Sequence, residues 1–304
     1  MSLFSREKAQ KLRERVLDKE SERGQRLAGG LWNMFNELHS MDYYEDREIE
    51  ELLLEQKKHE IKVMDFFKTL PKDVVTFSPS GAGKCRRELV YKAQRAKKDE
   101  VQRYPYQRRW TRNSTAVHGA VQTDLLYAEK KLAKPIFTVA RMKDNGLPAW
   151  ESNLKTVKRI SHKGVDFAVY GMMDGVLIYT PDGSKIGFEF KTKSTTIGTV
   201  GHYKMKDAGA DHKLQCVAYS ILFGIDEYII TYESVAKDGW TKGKEAKPDL
   251  RTFYHRVTEE DRQELLDKWA ETAKAKYNNE LPERELDKCI FCPYKTVCEV
   301  ADNE

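Results

Sequence analysis

The chain has 304 residues, 33% of them charged, with a net charge of +5 and a sequence pI of about 8.7. That length holds one large domain or a domain with an appendage, and 40% hydrophobic content describes a globular protein rather than a disordered or fibrous one. The charged start MSLFSREKAQKLRER has no signal-peptide core, and the longest apolar run, CVAYSILFGI, is about half a membrane span, so a cytoplasmic protein with no membrane partner is expected.

Residues 1–75 read as a helical N-terminal appendage. Leu27, Leu31, Met34, Phe35 and Leu38 recur at i, i+4, i+7, i+8 and i+11, which is one face of a helix. The polar stretch HSMDYYED interrupts the pattern. A second helix near 46–69 carries Ile49, Leu52, Leu53, Phe66 and Phe67, and Pro71 ends it. The first 25 residues are almost wholly polar and predict a solvated or frayed helix. These helices are also an expected docking place for a protein partner.

Residues 76–304 read as one α/β domain. Its first stretch, TFSPSGAGKCRRELVYK, imitates a phosphate-binding loop. The pattern G-x-x-x-x-G-K-[S/T] needs a glycine where Ser78 stands and a hydroxyl where Cys85 stands. A thiol is a poor ligand for Mg²⁺, so a nucleotide site is not expected here. Gly81 and Gly83 instead predict a backbone free to approach something at Cys85. Residues 103–112, RYPYQRRWTR, then interleave Arg103, Arg108, Arg109 and Arg112 with Tyr104, Tyr106 and Trp110, the alternative being a solvated loop with its rings tucked into the core. Cations for phosphates and flat rings for bases are what single-stranded DNA sites use. Arg86 and Arg87, and the basic loop at 240–247, are further candidate contacts.

From 110 a helix is predicted with Val117, Val121, Leu125 and Leu126 inward and His118 near the buried side. Strands follow at about 135–140, 154–160, 166–180 and 185–192, the last two joined by the turn sequence TPDGSK. A helix at 207–223, strands near 227–233 and 251–257, and a helix at 259–279 complete a mixed sheet with helices packed on it. In GMMDGVLIYTPDGSKIGFEFKTK, strand alternation puts Glu189 and Lys191 on one face, and a hairpin brings Asp174 beside Glu189. Two adjoining carboxylates repel unless a divalent cation lies between them. Mg²⁺ or Mn²⁺ suits such oxygen ligands, and Lys191 could orient or help deprotonate a water and offset phosphate charge. On the helix at 207–223, Leu214, Val217, Ala218, Ile221 and Leu222 form a core stripe, with Gln215 and Tyr219 side by side on its flank.

The five cysteines are Cys85, Cys216, Cys289, Cys292 and Cys298. The tail DKCIFCPYKTVCEV has C-x₂-C-x₅-C spacing, three thiolates around one centre that would take zinc or an iron–sulfur cluster. A fourth ligand would come from Cys85 or Cys216. Cys216 lies about 200° around its helix from Leu214 and is expected as a lone outward thiol. Cys85, at a loop-to-helix junction, is the expected fourth ligand.

The series His118, Asp174, Glu189-Phe190-Lys191, Gln215-Cys-Val-Ala-Tyr219 resembles the RecB-like nucleases of the PD-(D/E)XK superfamily, over about residues 76–300. The resemblance implies that His118, Asp174, Glu189 and the backbone carbonyl of Phe190 bind Mg²⁺ or Mn²⁺. It also implies that Lys191 is catalytic and that Gln215 and Tyr219 contact DNA and support the site. Met173 stands where the motif's proline would be, and Ser114 where a glycine often precedes the histidine. Cys85, following an SPS segment, with Cys289, Cys292 and Cys298 is similar to the iron–sulfur branch of AddB-type and CRISPR-associated exonucleases. It implies a structural [4Fe–4S] cluster, with a zinc knuckle as the alternative. The expected function is a metal-dependent exonuclease acting on DNA with single-stranded ends in recombination, repair or replication. The alternative is a DNA-end-binding or adaptor protein with a vestigial nuclease core.

Overall fold

The computed structural model describes residues 3–42 and 45–301, with side chains from residue 19 onward. The chain opens with helix α1 (Leu3–His39), then α2 (Arg47–Lys62) and a 3₁₀ turn at Met64–Thr69. Strand β1 (Val75–Phe77), α3 (Arg86–Ala93), α4 (Pro105–Lys131) and β2 (Phe137–Val139) follow. Next come β3 (Lys155–His162), β4 (Val165–Met172), β5 (Gly175–Tyr179) and β6 (Ser184–Lys193). The chain then runs through α5 (Ala210–Phe223), β7 (Glu227–Ser234), β8 (Leu250–Arg256), α6 (Glu259–Tyr277) and α7 (Lys295–Ala301).

The strands form two sheets, one in the order β2-β5-β6-β7-β8 and one in the order β1-β4-β3. The fold is therefore mixed α/β, as expected. The run 166–180 is not one strand, however. It breaks at Met173-Asp174, and β4 joins the small sheet while β5 joins the large one. An apolar run marks burial but cannot show that its two halves bury into different sheets.

In the large sheet β6 is central, antiparallel to β5 and parallel to β7. The parallel pair requires a crossover, which α5 supplies. Alternation along β6 sends Ile186, Phe188 and Phe190 into one core and Glu189 toward the other face. The first core also takes Leu27, Leu31, Met34, Phe35 and Leu38 of α1 and Val121, Leu125 and Leu126 of α4. The expected appendage thus contributes a helix that packs into a core shared with the sheet. Even its polar part is engaged: Arg23 donates to Glu227 at 2.6 and 2.8 Å, to Asp182 at 2.7 Å and to Ser184 at 2.9 Å. The solvated face expected for the first 25 residues fails there, and for residues 1–18 it lies outside the described side chains.

The second core lies on the opposite face. Val217, Ala218 and Ile221 of α5 meet Tyr228, Ile230 and Tyr232 of β7, Phe167 and Val169 of β4, and Leu265 and Trp269 of α6. Helix α5 is enclosed on several sides, with Cys216 through Ile221 buried consecutively. Gly187 is required by this packing: a Cβ there would lie 2.2 Å from the Tyr228 ring.

Candidate metal and nucleic-acid site

Strand pairing builds the centre of the site. Gly175 stands opposite Phe188, so the same antiparallel register carries Asp174 to the level of Glu189. β5 begins only after Asp174, so β6 continues to Lys193 paired only with β7. On the open side, the Phe190 N–H donates to Asp174 Oδ2 at 2.8 Å in place of a strand partner. In an extended strand a residue's N–H and C=O point to the same side, so the Phe190 carbonyl faces this gap as well.

Helix α4 closes the gap. His118 Nε2 lies 3.1 Å from Asp174 Oδ2, and its ring meets Phe190 edge-on. Gln122, one turn on, donates to the Asp174 carbonyl at 2.9 Å. Ser114, one turn before, meets Thr192 of β6, hydroxyl to hydroxyl at 2.9 Å. A serine there ties helix to strand, which a glycine could not do.

Sequence reasoning missed Glu151. Its Oε1 lies 3.3 Å from His118 Nδ1, and His118, Glu151 and Asp174 bring ligand atoms within 4.8 Å of one another, as a metal ion requires. Glu151 sits in the turn before β3 with φ +45°, held by its N–H donating to the Met173 carbonyl at 2.8 Å. A left-handed backbone at a glutamate is uncommon and marks a position the surroundings impose. The sequence carries no such mark: Glu151 belongs to no motif.

The electrostatics suit a cation. Burial, and then the charge of Asp174, raise the Glu151 carboxyl to about 7. Glu189 is wholly buried, and burial and the Asp174 charge push it well above the usual carboxylate range. Lys191 forms an ion pair with Glu189 Oε1, yet neither Glu189 oxygen accepts a well-aligned hydrogen bond among the described residues. Burial opposes charge on Asp174 too, but the His118 hydrogen bond and charge hold its carboxyl low. Burial likewise disfavours the His118 cation, and Asp174 and Glu151 outweigh it to raise the imidazole. For Lys191, Glu189 and Asp174 overcome burial and hold the ammonium charged.

Helix α5 borders this group. Gln215 Nε2 donates to Tyr219 Oη at 2.8 Å. Burial and the charges of Glu189 and Asp174 push the Tyr219 phenol well up, which places it near the acids as expected. The expectation for Cys216 is corrected. It is fully buried, not outward, and near enough to Glu189 for that charge, after burial, to raise its thiol. A one-stripe reading of α5 failed because the helix is enclosed by both sheets.

The remaining cysteines gather around α3. Cys85 precedes it, buried. The Cys292 thiol is raised by burial and also by the charges of Cys85 and Cys289, so those sulfurs are neighbours. Cys298 packs with Tyr91 and Tyr294 and accepts from Arg87 Nη1 at 3.6 Å. Asp99 binds the N–H groups of Lys295 and Thr296 at 2.8 and 3.2 Å, fixing the start of α7. Arg86 and Arg87, expected against nucleic acid, have partners within the chain. Arg86 donates to Glu271 of α6 at 2.7 Å at the surface, and Arg87 donates to the Pro282 carbonyl at 2.7 Å. Gly83 serves close packing: a Cβ there would lie 2.2 Å from the Asp211 carboxylate.

Within residues 103–112, α4 begins at Pro105, and the Gln107 side chain accepts from the Tyr104 N–H at 2.9 Å, so the alternative of a loop with its rings in the core does not hold. Proline at the first helical position loses no hydrogen bond, so it starts the helix. Tyr104, Tyr106 and Trp110 are exposed, as are Arg103, Arg108 and Arg109. A cavity of about 980 Å³ is lined by residues such as Val139, Met142, Ile178 and Phe223 and includes none of the site residues. No helix among the described residues is long and apolar enough to cross a membrane.

No protein-family model and no curated protein matches this chain. Solved structures do match, among them the crystal structure of SSO0001, at 15% identity and a TM-score of 0.43 over 82% of this chain and 97% of that one. That likeness is too loose to bear on function.

Proposed function

We propose that this chain is a metal-dependent deoxyribonuclease with a PD-(D/E)XK core that degrades DNA from its ends. The observation that carries the reading is the convergence of His118, Asp174, Glu189 and Lys191 where β6 runs past the start of β5, from separate elements of the chain. A surface ion-pair cluster would not bury a carboxylate completely, because taking its charge out of water costs several kcal/mol.

The donors fit a hard divalent cation: carboxylate oxygens, a strand carbonyl and one imidazole. His118, Glu151, Asp174, Glu189 and the Phe190 carbonyl are the residues that would hold it. Bound there, Mg²⁺ or Mn²⁺ supplies Lewis-acid polarisation of the scissile phosphate and acidifies water. Lys191, held charged by Glu189 and Asp174, offsets phosphate charge and orients the attacking water rather than removing its proton. Gln122 and the Phe190 N–H fix Asp174. Tyr219 and Gln215 steady each other beside the acids.

Cys85, Cys289, Cys292 and Cys298 fit a [4Fe–4S] cluster of structural role. Arg87 contacts one sulfur, and the Lys268 ammonium is near Cys85, so cations are placed to offset the negative charge of a thiolate-ligated cluster.

Digestion of end-labelled single- and double-stranded DNA, with Mg²⁺ and Mn²⁺ compared, tests the activity. Asp174→Asn, Glu189→Gln and Lys191→Ala should each lower cleavage at least about 100-fold with the fold retained, since each removes a group acting on the reacting phosphate. Linear DNA should be consumed and closed circles spared. Wild-type rates in any of the three variants would overturn the site.

A further inference from the structure

We infer that the β6–α5 and β7–β8 loops form a stacking track for single-stranded DNA leading into the acidic centre, with Tyr203 and Trp240 as its base-binding rings. This rests on the proposed reading of the site and adds to it the strand's path and form. Tyr203 is 96% exposed and Trp240 102% exposed, so neither ring packs on the protein. A lone exposed aromatic needs no explanation, but these two share a place in the fold. β6 and β7 are parallel, so the loops following them leave the same end of the sheet. It is the end at which β5 begins, one residue after Asp174, and toward which α4 extends its first turns, since Ser114 is tied to Thr192.

Charge along this end is net positive. The β6–α5 loop (194–209), the β7–β8 loop (235–249) and residues 103–112 together contain ten lysines and arginines against four carboxylates, Asp207, Asp238, Glu245 and Asp249. Between these segments and the acidic centre lie Lys191 and Lys193. After burial, the charges of these two lysines are what lower the His212 imidazole to about 4. Glu189 to Lys193 spans about 13 Å at about 3.3 Å per strand residue, a short cationic ramp from centre to loops. A duplex offers its phosphates but keeps its base faces stacked; rings this exposed gain only from bases already unstacked. The partner is therefore a single strand, its phosphates on the lysines and its bases on the rings.

The test uses the full chain, with Ca²⁺ replacing Mg²⁺ in the binding assays to restrain cleavage. Tyr203→Ala and Trp240→Ala should each weaken single-stranded oligonucleotide binding by about 5- to 150-fold, the range measured for losing one base–aromatic stack. Binding of a blunt hairpin duplex should change less than about twofold. Hydrolysis of bis(4-nitrophenyl) phosphate, too small to reach the loops, should be unchanged with Mn²⁺. Wild-type affinity for the single strand in both variants, an equal loss on the duplex, or no single-strand binding by the wild type would overturn the track. Failure of the wild type to hydrolyse either the small diester or DNA would instead overturn the nuclease reading, and the two failures are read separately.

Discussion

Glu151 shows what burial does to a carboxyl beside a proposed metal site. Its folded value of about 7 lies above the ordinary glutamate value of 4.5, so between these the folded state holds a proton that the unfolded chain has released. Stability from this group is therefore present at low pH and falls as pH rises through about 7. Chelated wild-type protein should unfold at a lower temperature at pH 8 than at pH 6, and Glu151→Gln should flatten that slope. A divalent cation favours the ionised form, so Mn²⁺ should raise the melting temperature more at pH 8 than at pH 6 in the wild type, and less in the variant. Scanning calorimetry with and without chelator reads both effects; a slope unchanged by the substitution would remove Glu151 from the ligand set. At this scale Asp174, Glu189 and Lys191 were legible because strand alternation and a hairpin turn are local rules. Glu151 was not, because its relation to His118 depends on a left-handed turn and on the packing of α4, neither of which leaves a sequence pattern.

Among elements, helical periodicity identified the buried face of α1 but not its destination. Leu31 is wholly buried in the core that also holds Phe188 and Phe190, the strand neighbours of Glu189. Leu31→Ala should therefore cost about 2–5 kcal/mol, as for other buried leucines. At roughly 2–4 °C per kcal/mol that is a fall of several degrees in melting temperature, measurable by circular dichroism. A helix hung outside the domain would give almost none. The same limit explains the run 166–180: apolar residues announced burial, and only the three-dimensional path divides them between β4 and β5. Pro105 begins α4, earlier than the helix start expected near residue 110. The consequence is functional, because Trp110 and His118 then lie on one rigid helix, about 12 Å apart along its axis at about 1.5 Å per residue.

Over the whole molecule, the cysteines were the most far-reaching sequence signal, since the tail's spacing together with the resemblance implied a link to residue 85 across about 200 residues. The structure brings these segments together around α3, and it does so largely through polar ties: Arg87 to Pro282, Asp99 to α7, and the Arg86 N–H to Glu285 at 2.9 Å. Little apolar surface joins them; the cluster there is Tyr91, Tyr294 and Cys298 with a few partly buried neighbours. A weakly cored junction closing so long a loop is where a covalent staple adds most, on the order of 4–5 kcal/mol by the loop-entropy argument. Cys85→Ser should accordingly lower iron and sulfide content and bring the melting temperature down by about 10 °C. Hydrolysis of a small phosphodiester at low temperature should persist, because His118, Asp174, Glu189 and Lys191 stand on α4, β6 and the start of β5 rather than on α3 or the tail. Anaerobic purification with metal analysis, calorimetry and the small-substrate assay on one preparation separates these effects. Colourless wild-type protein that binds zinc and no iron would replace the cluster with a zinc knuckle, and a melting temperature unmoved by the substitution would mean that the polar ties alone hold the ends together.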